Sequence, residues 1–302
     1  MIDTSRWLYY KIYPGAAAGK LDHLITGPLQ QIARLDGIIR WFFLRYTDEG
    51  GPHVRLRLKT EADVASLHGV VDPILKRALA ELPLLPPSSY RPVILPPLPS
   101  NGPAANPSDR YPAPHIARAT YEPDIETFGE EGVEIAETLF CASSDAVVRI
   151  LNEEREHTFS RKTAVPLFMA AIADAFMPEA EPSIWRNYAS YWLDGSEARA
   201  SAQQWTQRFV AKATELRAQG VPVLAPDHLL SPGAALAVQT WRAASAVAAD
   251  GFGTVADSPP RRPYELMFHF VHLMNNRLGL MPIEEAYFAT LIAESLSVPS
   301  LT

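Results

Sequence analysis

A single cysteine, Cys141, stands in 302 residues. That excludes an intramolecular disulfide and any multi-cysteine zinc site. Cys141 lies in the apolar helical stretch around Leu139-Phe140-Cys141-Ala142 and reads as a buried structural thiol. Basic residues are also short: 27 Lys and Arg against 34 Asp and Glu give a formal net charge of −7. A chain of that sign lacks the basic footprint of non-specific nucleic-acid binding, although a local basic patch can still hold an anionic partner. No apolar run reaches the length of a membrane span. The opening Met1-Ile2-Asp3-Thr4-Ser5-Arg6 lacks the basic-then-apolar order of a signal peptide, so the expected location is the cytoplasm. A glycine-rich phosphate loop, a dinucleotide fingerprint, a His-Glu-x-x-His run and a nucleophile elbow are all missing. Nothing suggests a nucleotide, flavin or pyridoxal cofactor.

The sequence is long enough for a sizeable core and for two lobes, with a hydrophobic fraction of 47% to fill it. Trp7 to Tyr13 is aromatic and β-rich, and Pro14-Gly15 ends it. Leu21 to Leu35 has helical periodicity. Ile38 to Tyr46 reads as a second strand, and Asp48 to Pro52 as a turn. Val54-Arg-Leu-Arg-Leu58 alternates, which puts Arg55 and Arg57 on one face and Val54, Leu56 and Leu58 on the other. Glu61 to Leu82 is a second amphipathic helix. This order predicts an α+β fold: a ferredoxin-like antiparallel sheet with helices on one face. Residues 83–114 are dominated by proline and read as an irregular excursion, with a short strand over Tyr90 to Leu95. Ile116 to Glu122 returns as a strand. Helices are expected over 131–155, 160–176, 182–193, 197–219, 233–249, 263–278 and 282–296. The expected division is therefore a sheet lobe over 1–122 and a helical lobe over 123–302, acting as one catalytic unit.

Three segments are more polar than a core requires. In Phe268 to Leu280 the helical period brings His269, His272 and Asn276 near one face, with Asn275 close by and Arg277 beyond. Such groups are costly when buried without partners, so they either satisfy one another or line a site. The i, i+3 histidines could suit a metal, but no carboxylate partner lies nearby in sequence, and no metal site is expected. Arg45, Arg55 and Arg57 on adjacent strands form either a cationic floor for a carboxylate or peptide, or a solvated sheet face. Tyr121 to Gly129 lies at a strand-to-helix junction, where Asp124 or Thr127 could cap the helix.

Taken in order, Trp7-Leu-Tyr-Tyr-Lys-Ile-Tyr13, Trp41-Phe-Phe-Leu-Arg-Tyr-Thr-Asp48, His53-Val-Arg-Leu-Arg57, Tyr121-Glu-Pro-Asp124, Phe128-Gly129, Leu139-Phe-Cys-Ala-Ser-Ser144 and His272-Leu-Met-Asn-Asn-Arg-Leu-Gly279 resemble one family. It is the thiopeptide-type bacteriocin biosynthesis domain, related to the C-terminal elimination domain of lantibiotic dehydratases. The resemblance covers almost the whole chain.

The resemblance implies one of two activities. Eliminating members remove glutamate from glutamylated Ser or Thr of a precursor peptide and leave dehydroamino acids. Stand-alone members join two dehydroalanines in a formal 4+2 aza-cycloaddition that builds a pyridine. In eliminating members the Tyr121 segment carries an arginine where this chain has Thr127, a tyrosine where it has Phe128 and a glutamate where it has Asp124. These departures favour the pyridine-forming branch; Arg57 and His272 match positions implicated in eliminating members and keep elimination as the alternative. A non-catalytic precursor-binding partner is the third reading. The resemblance implies that no cofactor is needed. Its partner is a ribosomally made precursor peptide, a leader plus a dehydrated core, docking by strand addition or in a groove. The expected catalytic residues are His272, Tyr287, His269 and Tyr264. The expected substrate contacts are Arg45, Arg55, Arg57, Asp124, Thr127 and Asn276, with Asn276 and Arg277 also holding their helix in place.

Overall fold

Strict alternation in Val54 to Leu58 sets the sheet. In the computed structural model, which describes residues 2–86, 88, 90, 92, 112–179, 181–195, 201–255 and 262–297, Val54, Leu56 and Leu58 are fully buried while Arg55, Arg57 and Lys59 face the other side. The strands are β1 (Trp7–Tyr13), β2 (Ile38–Asp48), β3 (Gly51–Thr60) and β4 (His115–Ala119). They run antiparallel in the order β2-β3-β1-β4. With helices between β1 and β2 and between β3 and β4, this is the expected ferredoxin-like arrangement. Leu8, Tyr10 and Ile12 of β1 pair with Leu58, Leu56 and Val54, and this face carries the helices.

The single helix expected over Leu21 to Leu35 is two, α1 (Leu21–Thr26) and α2 (Pro28–Ala33). Pro28 has no N–H to continue α1, but it suits the first position of a new helix. Helix α3 (Val64–Glu81) starts later than expected because the Asp63 carboxylate accepts the Ser66 N–H at 2.7 Å. The strand expected to reach Glu122 stops at Ala119. The strand expected over Tyr90 to Leu95 falls, apart from Tyr90 and Pro92, outside the described residues.

From Ile125 onward the described chain is helical: α4 (Ile125–Arg155), α5 (Arg161–Phe176), α6 (Pro182–Gly195), α7 (Ala202–Ala218), α8 (Pro232–Thr254), α9 (Pro263–Leu278) and α10 (Pro282–Leu296). Helix α4 is broken once, at Gly129 (φ 73°, ψ 162°), a conformation that glycine adopts without steric cost. Helix α10 is buried around its circumference from Ile283 to Ala293, as expected of a helix enclosed by others. No helix among the described residues is long and apolar enough to cross a membrane.

The sheet and the C-terminal helices share one continuous core, which runs from the helix-covered sheet face into the helical region. Polar seams join them as well. Trp41 Nε1 donates to Asp145 of α4 at 3.0 Å, and the Ser144 hydroxyl accepts the Phe43 N–H at 3.3 Å. Asp22 of α1 accepts from Arg45 of β2 at 2.6 Å and from Arg161 of α5 at 2.5 Å. Arg161 also donates to Glu154 at 2.5 Å and to the Leu278 carbonyl at 2.6 Å. Burial would raise the Asp22 pKa, but the two guanidiniums outweigh it and hold the carboxyl well below its ordinary range.

Candidate active site

Helix α9 starts at Pro263 and ends on Gly279, whose left-handed φ of 85° stops it. Along it His272 faces α6 and α10. The His272 Nδ1 lies 2.9 Å from Oε1 of Glu285, a carboxylate with no solvent exposure. The other oxygen, Oε2, accepts from the Tyr188 hydroxyl of α6 and from Asn275 Nδ2 at 3.2 Å. Trp192, one turn beyond Tyr188, lies against the imidazole with ring centroids 4.6 Å apart. Burial first, then the Glu285 charge, push the Tyr188 phenol well above its ordinary value. The imidazole remains one-third exposed. It opens into a cavity of about 290 Å³ with Tyr188, Tyr191, Trp192, Tyr264, Phe268, His269 and Glu265.

His269 also lines a second cavity, of about 210 Å³, between α4 and the uncovered sheet face. Phe42, Tyr121, Phe128 and Phe140 give it an aromatic lining, and Phe42 and Tyr121 form a small buried cluster with Trp7 and Tyr9. Arg57 lies over Tyr9 at 4.6 Å, and its Nε and Nη1 have no hydrogen-bond partner among the described residues. Burial pulls its pKa down, while Tyr9 and Tyr121 oppose the shift. Behind the wall Arg277 lies over Phe140 at 5.1 Å and donates to the Leu273 carbonyl at 3.0 Å, leaving Nε and Nη2 unpartnered among the described residues. Burial and then the Arg57 charge lower its pKa, yet a guanidinium stays protonated. Glu137 accepts the Tyr121 hydroxyl at 2.7 Å, and burial raises its carboxyl pKa.

The structure sorts the expected residues. His272, His269 and Tyr264 come together on the first cavity. Tyr287 does not: it is buried edge-on against Phe209 of α7, with ring centroids 5.4 Å apart. Arg57 and Asp124 line the second cavity. The floor of three arginines does not form, because Arg45 pairs with Val54 and therefore points to the opposite sheet face from Arg55 and Arg57. Arg55 lies instead over the Tyr46 ring at 3.3 Å and reaches His53. Asp124 caps α4 by accepting the Thr127 N–H at 3.0 Å, and Thr127 is buried beneath it. Asn276 turns away from both cavities and bonds the main chain of Arg45. Glu285, Tyr188 and Trp192 were absent from the sequence expectation. Glu285 reads in sequence as a carboxylate favouring a helix N-terminus, and its burial depends on α6 and α9. The i, i+4 pair Tyr188 and Trp192 gives only the signal of an aromatic helix face.

The family model for the lantibiotic biosynthesis dehydratase C-terminal region matches residues 7–296. The chain belongs to that family. A search of curated proteins gave no match. Among solved structures the chain is similar to the tRNA-dependent lantibiotic dehydratase MibB from Microbispora sp. 107891, with 19% identity and a TM-score of 0.62. That match covers 98% of this chain but 28% of MibB. It is also similar to TbtD, the pyridine synthase from thiomuracin biosynthesis, with 21% identity, a TM-score of 0.65 and coverage of 96% and 97% of the two chains. A third similar structure, TsrL, is 16% identical with a TM-score of 0.59, over 96% of this chain and 93% of the other. At these identities the likenesses establish the fold of this family member.

Proposed function

We propose that this family member closes a pyridine ring in a ribosomally made precursor peptide by joining two dehydroalanines in a formal 4+2 aza-cycloaddition. One observation carries the reading. The His272 cavity is walled by aromatic rings, no Lys or Arg lines it among the described residues, and its one carboxylate is Glu265. Such a lining suits flat, uncharged unsaturated groups and disfavours a glutamyl carboxylate. The burial of Thr127, where eliminating relatives carry arginine, supports the same reading.

The chemistry begins when one dehydroalanine and its amide tautomerise to a 2-azadiene, which moves a proton from the amide nitrogen to its oxygen. His272 is the acid–base group for that transfer, with His269 and Tyr264 beside it. Two new C–C bonds, from the two carbon termini of the azadiene to the two vinyl carbons of the second dehydroalanine, then close the six-membered ring around the former amide nitrogen. Loss of water and of the leader peptide as its carboxamide gives the aromatic ring without an external oxidant. The larger contribution is alignment: holding two distant points of one flexible chain together can supply roughly 7–11 kcal/mol. The chain's partner is then the precursor peptide, met in the cytoplasm.

A second reading, glutamate elimination, is favoured by the unpartnered N–H groups of Arg57 in the neighbouring cavity, which suit a carboxylate. The two are separated by offering the purified chain, without cofactor, a leader-bearing peptide with two dehydroalanines and, separately, a glutamylated peptide. Turnover of the first supports cyclisation; turnover of the second alone replaces it with elimination.

A further inference from the structure

We propose that Glu285 is the positioning residue of this site: it holds His272 in the tautomer that carries its proton on Nδ1 and turns Nε2 toward the aromatic cavity. The proposal deepens the reading of His272 as the acid–base group and rests on it for its catalytic consequence, though not for its geometry.

The assignment follows from counting donors. An ionised carboxylate only accepts. Glu285 Oε2 takes the Tyr188 hydroxyl and an Asn275 Nδ2 proton, and Oε1 faces His272 Nδ1 at 2.9 Å. Two acceptors cannot face each other at that distance, so Nδ1 bears the proton, and the partner of one ring nitrogen fixes the state of the other. The Trp192 ring, tilted 34° to the imidazole, restrains the ring plane. A carboxylate with no solvent exposure is costly unless well bonded. Three donors from two helices, α9 and α6, supply that bonding to a residue of a third. Tyr188, which also borders the cavity, is committed to Glu285 through its hydroxyl. That leaves the His272 ring as the member of this network with a nitrogen free to meet substrate.

Glu285→Gln gives a sharp test. A glutamine amide satisfies Tyr188 and Asn275 with its oxygen, which turns its NH2 toward His272. Nδ1 must then accept, and the proton moves to Nε2. Wild type and E285Q would be labelled with 15N-histidine and compared by long-range 15N–1H correlation, with the His272→Asn spectrum identifying the His272 signals among the eight histidines. The expected result is Nδ1–H in wild type and Nε2–H in E285Q. With the dehydroalanine peptide, kcat should fall about 10²-fold or more while KM stays within about threefold, since general acid–base groups contribute roughly 10²–10⁴. Tyr188→Phe, which keeps the Glu285–His272 bond, should retain the wild-type tautomer. Protonation of Nε2 in wild type would overturn the proposal, even if E285Q does not fold. So would an unchanged tautomer or an unchanged kcat in a folded E285Q. If wild type turns over no peptide, the functional reading fails, and the tautomer comparison still decides the role of Glu285.

Discussion

Asn276 holds the main chain of Arg45 at both of its polar groups. Its Oδ1 accepts the Arg45 N–H at 2.9 Å, and its Nδ2 donates to the Arg45 carbonyl at 2.8 Å. Strand β2 is an edge strand among the described residues, so these outward groups have no neighbouring strand there to pair with. The carboxamide acts as that strand and ties α9 to the sheet. Asn276→Ala should lower the unfolding free energy by about 1–3 kcal/mol, measured by urea denaturation, because it leaves two main-chain groups unsatisfied.

Arg277 and Arg161 are both buried, and opposite outcomes are expected from replacing them. Arg161 bonds Asp22, Glu154 and the Leu278 carbonyl. Arg161→Met takes the guanidinium from Glu154, leaves Asp22 with Arg45 as its remaining cation, and should cost about 3–5 kcal/mol. Arg277 has no acidic partner among the described residues and is repelled by Arg57. Arg277→Met should leave the protein at least as stable as wild type in the same denaturant titration, as replacing an uncompensated buried charge by a chain of similar volume often does.

Stability should depend on pH through Asp22. Its pKa is depressed in the folded state by Arg45 and Arg161 against the effect of burial. A depressed carboxyl pKa contributes stability above the unfolded value of about 3.9, and that contribution is lost as pH falls below it. Asp22→Asn should therefore trail wild type fully at about pH 5, and the gap should narrow toward about pH 2. Thermal unfolding followed at a series of pH values measures the gap directly.

Two tyrosines on α9 and α10 separate the proposed site from its surroundings. Tyr264 borders the cavity and is nearly half exposed, whereas Tyr287 is packed against Phe209. Tyr287→Phe should leave turnover within about twofold of wild type. His272→Ala should reduce it by roughly 10²–10⁴. Steady-state assays of both variants on one peptide check the pair.

The sheet was legible because Val54 to Leu58 alternates, and helices α9 and α10 because Pro263 and Pro282 open them and Gly279 separates them. The break at Gly27-Pro28 carried its own signal, yet the apolar period from Leu21 to Leu35 runs across it and hides it. In the site, His272 and His269 were legible as polar groups at helical spacing. Glu285 was not, because helix-start carboxylates are ordinarily solvated and only the packing of α6 and α9 buries this one. Arg45 was misplaced for a simpler reason. It belongs to β2, and its face is set by pairing with Val54 rather than by proximity in sequence to Arg55 and Arg57.

The most direct measurement is high-resolution mass spectrometry of a leader-bearing peptide with two dehydroalanines, incubated with the purified chain and no added cofactor. The account predicts two products in equal amounts: a macrocycle lighter by water and the leader, with new pyridine absorbance, and the leader as its carboxamide. A peptide of unchanged mass after incubation with folded protein would contradict it.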